Sequence, residues 1–151
     1  IINHATVLIK WRRRIMACVF CEIIAGKESA FKIYEDELFL AILDINPRSL
    51  GHCLLLPKRH VSRFQELNER ELAGLASSLK KLLDLLQERL QARGFTIAIN
   101  DGELAGQEVK HLHIHIIPRY RRGPAIIAAF PVIGELRNRL KEVYEVITGA
   151  R

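Results

Sequence analysis

No apolar run in this 151-residue sequence approaches the ~20 residues needed to cross a bilayer, which argues against a membrane-spanning helix. The stretch Ala5–Ile9 is too short for the apolar centre of a secretory signal, and no small-residue cleavage site follows it. Cysteine is scarce: Cys18, Cys21 and Cys53 form an odd, sparse set that excludes a disulfide framework. Internal repeats and linker-like low-complexity segments are also missing. With 49% apolar and 26% charged residues the composition is globular rather than disordered. A single domain with one sizeable core, located in the cytoplasm, is the expectation.

The net charge of +6 has the size of a nucleic-acid signal until it is located along the chain. Residues 1–17 hold Lys10, Arg12, Arg13 and Arg14 and no acid. The remainder carries 19 basic and 17 acidic residues, so the body is nearly neutral and lacks a phosphate-backbone footprint. A solvated or packed extension is a better reading of the basic segment beside Trp11 than a nucleic-acid arm.

Two short strands with an acidic turn, Glu35-Asp36-Glu37, are expected within Phe31–Asp44. Asn46-Pro47 breaks the chain, and Gly51–Leu56 reads as a third strand capped by Pro57. The strongest element is a long helix. Asn68 is placed to cap it, Glu71 to complete a capping box, and Leu67 to staple onto Leu72. Leu72, Leu75, Leu79, Leu82, Leu83, Leu86 and Leu90 then recur on one helical face, which is a core face, and Gly94 is placed to end the helix. Phe95–Asn100 and His111–Ile117 read as strands four and five, the latter ended by Pro118. A C-terminal helix is predicted from Ile133, Leu136, Leu140, Val143, Tyr144 and Ile147. The fold class is α+β, with an antiparallel sheet of about five strands, one long helix and a C-terminal helix.

The chemistry concentrates in H-L-H-I-H-I-I, residues 111–117. Side chains alternate along a strand, so His111, His113 and His115 share one face while Leu112, Ile114 and Ile116 take the other. A lone histidine among apolar residues is usually structural. Three alternating ones make poor core filler, because every buried imidazole needs partners. A metal-based hydrolase is the competing reading, since H-x-H on a strand can present two imidazoles to zinc. Against it stands the glycine-bearing loop N-D-G-E-L-A-G-Q-E-V, residues 100–109, which suits an anion. There Gly106 and Gln107 precede the histidines, and glycine lets backbone amides turn inward. Cys18 and Cys21 have metal-ligand or redox spacing, and the spacing alone gives half a zinc site. Two unbridged thiols or a redox pair are the alternatives. Cys53, next to His52 on its strand, is expected to be buried packing.

Residues 111–117 match at every position the H-φ-H-φ-H-φ-φ signature of the histidine-triad (HIT) superfamily, which the chain resembles over about Cys18–Tyr120. Asp44–His60 (D-I-N-P-x-x-x-G-H-x-L-L-x-P-K-x-H) and A-G-Q-x-V-K before the triad resemble it too. On this resemblance residues 16–151 form one HIT domain. Residues 1–15, upstream of the only methionine, Met16, are expected to be an N-terminal extension or an atypical start. The resemblance implies a nucleotide hydrolase that releases a nucleoside monophosphate, AMP above all, through a covalent nucleotidyl-histidine. It makes His113 the nucleophile and His115 and His52 its phosphate-binding neighbours. Asn100, Gly106, Gln107 and Glu108 would line the phosphate and leaving-group side, Asp44 would bind the ribose, and Val19, Phe20, Ile23 and Ile42 would form the slot for the base. Glu108 stands where the family usually has Ser or Thr, and a carboxylate cannot donate the hydroxyl's hydrogen bond.

The same resemblance implies a structural zinc ion held by Cys18, Cys21, His60 and His111, with no cofactor needed for the chemistry, and a homodimer. Cues of the phosphoramidate-cleaving and the dinucleoside-polyphosphate-cleaving branches are mixed here. Other readings are a nucleotide-binding regulatory or scaffold protein with little turnover, a phosphorylase, or a transferase. Transferase relatives carry Gln at the third triad position, where this chain has His115.

Overall fold

The computed structural model describes residues 18–125, 133–139 and 142. The chain divides into two compact units, Ile1–Arg121 and Arg122–Arg151. The first contains α1 (Val19–Ile24), β1 (Lys32–Glu35), β2 (Phe39–Leu43), β3 (Cys53–Pro57), α2 (Glu69–Leu90), β4 (Gly94–Ala98) and β5 (Ile114–Arg119), with short 3-10 turns at Phe64–Glu66 and Glu103–Ala105. In the second, Gly134–Arg139 forms a 3-10 segment. Of the C-terminal helix expected from Ile133, Leu136, Leu140, Val143, Tyr144 and Ile147, the described part near Ile133 and Leu136 is this 3-10 segment; the other four positions lie outside the described residues, as does the extension 1–15. Among the described residues no helix is long and apolar enough to cross a membrane.

The five strands form one antiparallel sheet in the order β1-β2-β3-β5-β4. Alternation gives the sheet two apolar faces. Phe39 and Ala41 of β2, Cys53 and Leu55 of β3, and Leu112, Ile114 and Ile116 pack with Leu75, Leu82 and Leu86 of α2. Leu40, Ile42, Leu54 and Leu56 face the other way, where Phe20 and Ile23 of α1 cover them. Cys53 is fully buried, the packing role its sequence position suggests.

The α2 capping box forms as expected: Asn68 Oδ1 accepts from the Glu71 amide at 2.8 Å, and Glu71 Oε2 accepts from the Asn68 amide at 2.9 Å. Leu72, expected in the staple, is 39% exposed. The helix ends earlier than Gly94 suggested. Gln91 takes the left-handed position (φ 59°), with its amide on Gln87 O, and Gly94 opens β4 instead. Ending there lets Arg93 donate its amide to Arg119 O and start the β4–β5 ladder.

The fifth strand begins at Ile114 rather than His111, because the segment before it bonds elsewhere: the Leu112 amide donates to Val61 O at 2.7 Å. The third strand starts at Cys53 rather than Gly51 and includes Pro57, and β5 includes Pro118. Both prolines sit where pairing on one side has run out. The β3–β5 register covers only Cys53–Leu55 against Ile114–Ile116, so neither missing N–H breaks a ladder. Gly51 (φ +81°) turns the chain into β3 against Leu90, where a Cβ would collide.

The β1–β2 turn is tied to α2 by Asp36. Its carboxylate accepts from the Leu38 and Phe39 amides, from Tyr34 Oη at 2.7 Å, and from the buried Ser78 hydroxyl. Burial raises the carboxyl's pKa, but the hydrogen bonds from Ser78, Tyr34 and the two amides outweigh it and hold it at about 2. Asp36→Ala is expected to destabilise the fold by ~3 kcal/mol at neutral pH in denaturant titration, since charge-assisted bonds are lost together. The parent chain should lose the same contribution as pH falls from 3.8 through about 2, and the variant should lack that segment of pH dependence.

Candidate functional site: a histidine cluster beside a thiol–imidazole cluster

His111, His113 and His115 turn toward the α1 side of the sheet, because Leu112, Ile114 and Ile116 are buried on the α2 side. Phe20 of α1 lies edge-on to His111 (centroids 5.8 Å apart) and to His113 (5.3 Å). His113 and His115 are 5.2 Å apart. His52, just before β3, reaches the same face, because Leu54 on that face pairs with His115.

Hydrogen bonds to the backbone set the proton on each ring. His52 Nδ1 accepts the Arg48 amide at 3.0 Å, so Nε2 carries the proton of the neutral ring. That Nε2–H donates to His115 Nδ1 at 3.0 Å, with Asp44 Oδ2 at 3.4 Å as a second acceptor. His115 Nδ1 is then an acceptor, and its proton sits on Nε2. His113 has the opposite arrangement. Its Nδ1–H donates to the His111 carbonyl at 2.7 Å, which leaves Nε2 with a free lone pair. His113 is only half-buried, so this lone pair is offered next to a ring that presents an N–H.

Burial lowers the pKa of His52 and His115 from the ordinary 6.5. The Asp44 carboxylate opposes the shift at both rings; Arg48, and for His115 the neighbouring His113 and His52, add to it. Both rings are therefore neutral near pH 7, as the wiring above requires.

The second cluster lies on the same face at the other end. The ligand atoms of Cys18, Cys21, His60 and His111 all lie within 4.8 Å of one another. His111 is fully buried, and burial lowers its pKa. Its Nε2–H donates to Pro57 O at 2.8 Å, which turns the Nδ1 lone pair toward Cys18 Sγ (3.4 Å) and Cys21 Sγ (3.5 Å). His60 Nδ1 is 3.2 Å from Cys21 Sγ. Zinc–sulfur and zinc–nitrogen bonds of ~2.3 and ~2.0 Å put tetrahedral ligands about 3.3–3.8 Å apart, so this donor set fits an ion of that size. The Cys21 thiol is pushed up to about 11 by burial and by the hydrogen bond and charge of Cys18, so a cation bound beside it would offset the cost of its thiolate.

Asp44, His52 and His115 also bring three ligand-type atoms together. A cation does not fit there in the same way. His52 Nδ1 is occupied by the Arg48 amide, and Nε2 carries the proton. That trio is a hydrogen-bonded relay.

Phe20, Ile23 and Ile42 pack into one apolar cluster beside the histidines, whereas Val19 is 45% exposed on α1. Asp44 borders His52 and His115 at 3.4 and 3.9 Å and accepts the Asn46 amide. Asn100 and Glu108 are exposed in loops. The loop at 102–107 differs from the expected amide cradle. The Gly106 amide donates to Glu103 O and the Gln107 amide to Gly102 O. Gln107 is buried, its Oε1 accepting the Gly102 amide and its Nε2 donating to Ser62 O and Val109 O. Neither amide is left to turn toward an anion, and both residues brace the loop. Arg63 and Asp101 brace it further, with Nε–Oδ1 at 2.9 Å. Sequence reasoning did not find the Arg48 amide or the carbonyls of Pro57 and His111. These groups belong to the backbone and leave no signature in residue type.

The HIT domain family model matches residues 25–122. The chain belongs to the HIT family. An uncharacterised HIT-like protein of Methanocaldococcus jannaschii is 46% identical over 87% of this chain and 99% of its own length. An adenylylsulfatase of Arabidopsis thaliana is 40% identical over 70% of the chain and 53% of its own length. The crystal structure of a zinc-bound histidine triad family protein from Mycobacterium smegmatis superposes with a TM-score of 0.65 at 38% identity, covering 87% of this chain and 98% of that one.

The lowered values of His52 and His115 carry a pH signature. An unfolded chain takes up protons as pH falls through 6.5, while the folded rings resist until lower pH. Their contribution is therefore intact above 6.5 and lost as pH drops through the folded values. Thermal melts should show Tm falling on acidification below 6.5, with a shallower fall in His52→Gln.

Proposed function

We propose that this HIT protein hydrolyses a nucleotide at its α-phosphate through a covalent nucleotidyl-histidine on His113. The observation that carries this reading is the paired arrangement of two adjacent rings. His113 Nε2 offers a lone pair, and the adjacent His115 Nε2 offers an N–H. A nucleophile needs the first and a phosphoryl oxygen the second.

His113 Nε2 attacks phosphorus, and the N–P bond forms as the bond to the leaving group breaks. The leaving group takes a proton from solvent. His115, held by His52 and backed by Asp44, donates to a non-bridging oxygen and stabilises its charge. The His111 carbonyl offsets the positive charge that builds on the His113 ring, through its Nδ1–H. Water then attacks the same phosphorus, its proton passes to solvent as the N–P bond breaks with the electron pair returning to His113 Nε2, and the nucleoside monophosphate is released. Splitting one difficult displacement into two easier ones is the gain.

Phe20, Ile23 and Ile42, with Val19 at the rim, form the slot for a purine base, adenine in our reading, and Asp44 accepts the ribose hydroxyls. Asn100 and the braced loop at Gly106–Gln107–Glu108 border the leaving group. Cys18, Cys21, His60 and His111 hold a structural zinc ion, which links α1 to the sheet when bound. The active form is a homodimer in the cytoplasm. Nucleoside phosphoramidates and dinucleoside polyphosphates are the two candidate substrate classes.

Brief exposure to an adenosine substrate of either class should add one adenylyl group, located by peptide mass spectrometry on His113. His113→Ala should lose the adduct, and its turnover should fall on the order of 10³-fold or more, with an unchanged circular dichroism spectrum. Full turnover by that variant would remove the covalent route. Elemental analysis of freshly purified protein should give one zinc per chain.

A further inference from the structure

The thiol–imidazole cluster and the nucleophile are joined by two short connections. The first runs through His111. Its ring is clamped between Pro57 O at 2.8 Å and the two sulfur atoms at 3.4 and 3.5 Å, and its own carbonyl accepts the His113 Nδ1–H at 2.7 Å. The second runs through Phe20, which lies between Cys18 and Cys21 in sequence and meets both the His111 and the His113 rings edge-on. Cys18 is the N-cap of α1 and makes no side-chain capping bond, and the helix has only six residues. A helix that short does not hold itself, so α1 depends on what it is attached to.

We propose that the Cys18–Cys21–His60–His111 cluster positions His113, so that its occupation by a divalent ion sets the rate of turnover as well as stability. This rests on the nucleophile assignment above and adds control by the cluster. With an ion bound, His111 Nδ1 and both sulfurs are fixed together. The His111 carbonyl then stays aimed at His113 Nδ1, and Phe20 holds the ring's face. Without the ion, a single Nδ1 lone pair faces two thiols and can accept from one of them. His111 and α1 loosen together, and the His113 ring is free to exchange tautomers or turn. A fraction of molecules then presents Nε2–H where a lone pair is needed. His111 and Phe20 are positioning residues in this scheme, because they act through His113.

The test uses the full chain, stripped with a chelator and reloaded with zinc. Metal is followed by elemental analysis, fold by far-UV circular dichroism, and the His113 tautomer by ¹⁵N NMR of the imidazole nitrogens. Stripping should move His113 from a pure Nδ1–H form to a mixture and lower kcat on the order of 10-fold or more, with KM within about twofold. Zinc should restore both. Cys21→Ala should reproduce the loss, and Cys21→His, which supplies a fourth ligand again, should recover most of kcat relative to Cys21→Ala. A stripped, folded chain that keeps both its tautomer and its kcat overturns the proposal, as does a loss confined to KM. If stripping unfolds the chain, Cys18→Ser is followed at increasing zinc occupancy while circular dichroism shows it folded. The Nδ1–H tautomer and kcat should rise together with the zinc content, and a kcat that ignores zinc content overturns the proposal. Turnover that survives in His113→Ala would instead reject the nucleophile assignment, while the tautomer response still decides the coupling.

Discussion

Burial of Leu112, Ile114 and Ile116 against α2 is the constraint on which the site depends. All three are essentially inaccessible to solvent and belong to the core under the long helix. Each contributes roughly 1.5–3 kcal/mol by leaving water. Sliding the segment by one residue would expose all three and drive imidazoles into that core, where the α2 leucines offer no hydrogen bonds. The three histidines are therefore held on the α1 side by residues that take no part in chemistry. The polar face of residues 111–115 is specified by its apolar one.

Shared orientation alone would give three equivalent imidazoles. The differences among them come from where the backbone touches each ring. The Arg48 amide pushes the proton of His52 onto Nε2, and the transfer passes to His115. The His111 carbonyl pulls the proton of His113 onto Nδ1, and the Pro57 carbonyl pulls that of His111 onto Nε2. One ring consequently turns a lone pair toward sulfur, the next keeps its Nε2 lone pair, and the third presents an N–H. Burial lowers the pKa at His52, His111 and His115, which keeps these rings neutral and the wiring intact.

Much of this was legible in the sequence for a physical reason. Period-two alternation at 111–116, the leucine spacing in α2 and the Asn68–Glu71 box are local rules obeyed by local residues, and the structure follows them. The four donors of the thiol–imidazole cluster are far apart in the chain, yet the resemblance named all four, and they meet. Elements whose limits depend on long-range pairing were less legible. The β5 boundary moved because the Leu112 amide finds Val61 O, and α2 stopped at Gln91 because Arg93 had to meet Arg119. The loop at Gly106–Gln107 misled for a related reason. Glycine permits an inward-facing amide, but whether the amide is free depends on carbonyls that residue type does not reveal, and here Glu103 and Gly102 had taken both.

The two ligand-like clusters show why residue type is a poor guide to chemistry at this scale. Asp44, His52 and His115 would pass any search for metal donors, as would Cys18, Cys21, His60 and His111. They differ in what the surrounding backbone asks of each nitrogen. In the first trio an amide uses the outer nitrogen of His52, and the inner one must carry a proton, so His52 has no lone pair left for a cation. In the second, the Pro57 carbonyl accepts the N–H of the buried ring, and the other nitrogen's lone pair meets two sulfurs. The same face thus carries a hydrogen-bonded imidazole cluster and a donor set that fits a cation, with His111 and His113 two residues apart on the segment that leads into β5. One residue, Leu112, separates His111 from His113, and the His111 carbonyl accepts the His113 Nδ1–H, so the two clusters share a single stretch of backbone.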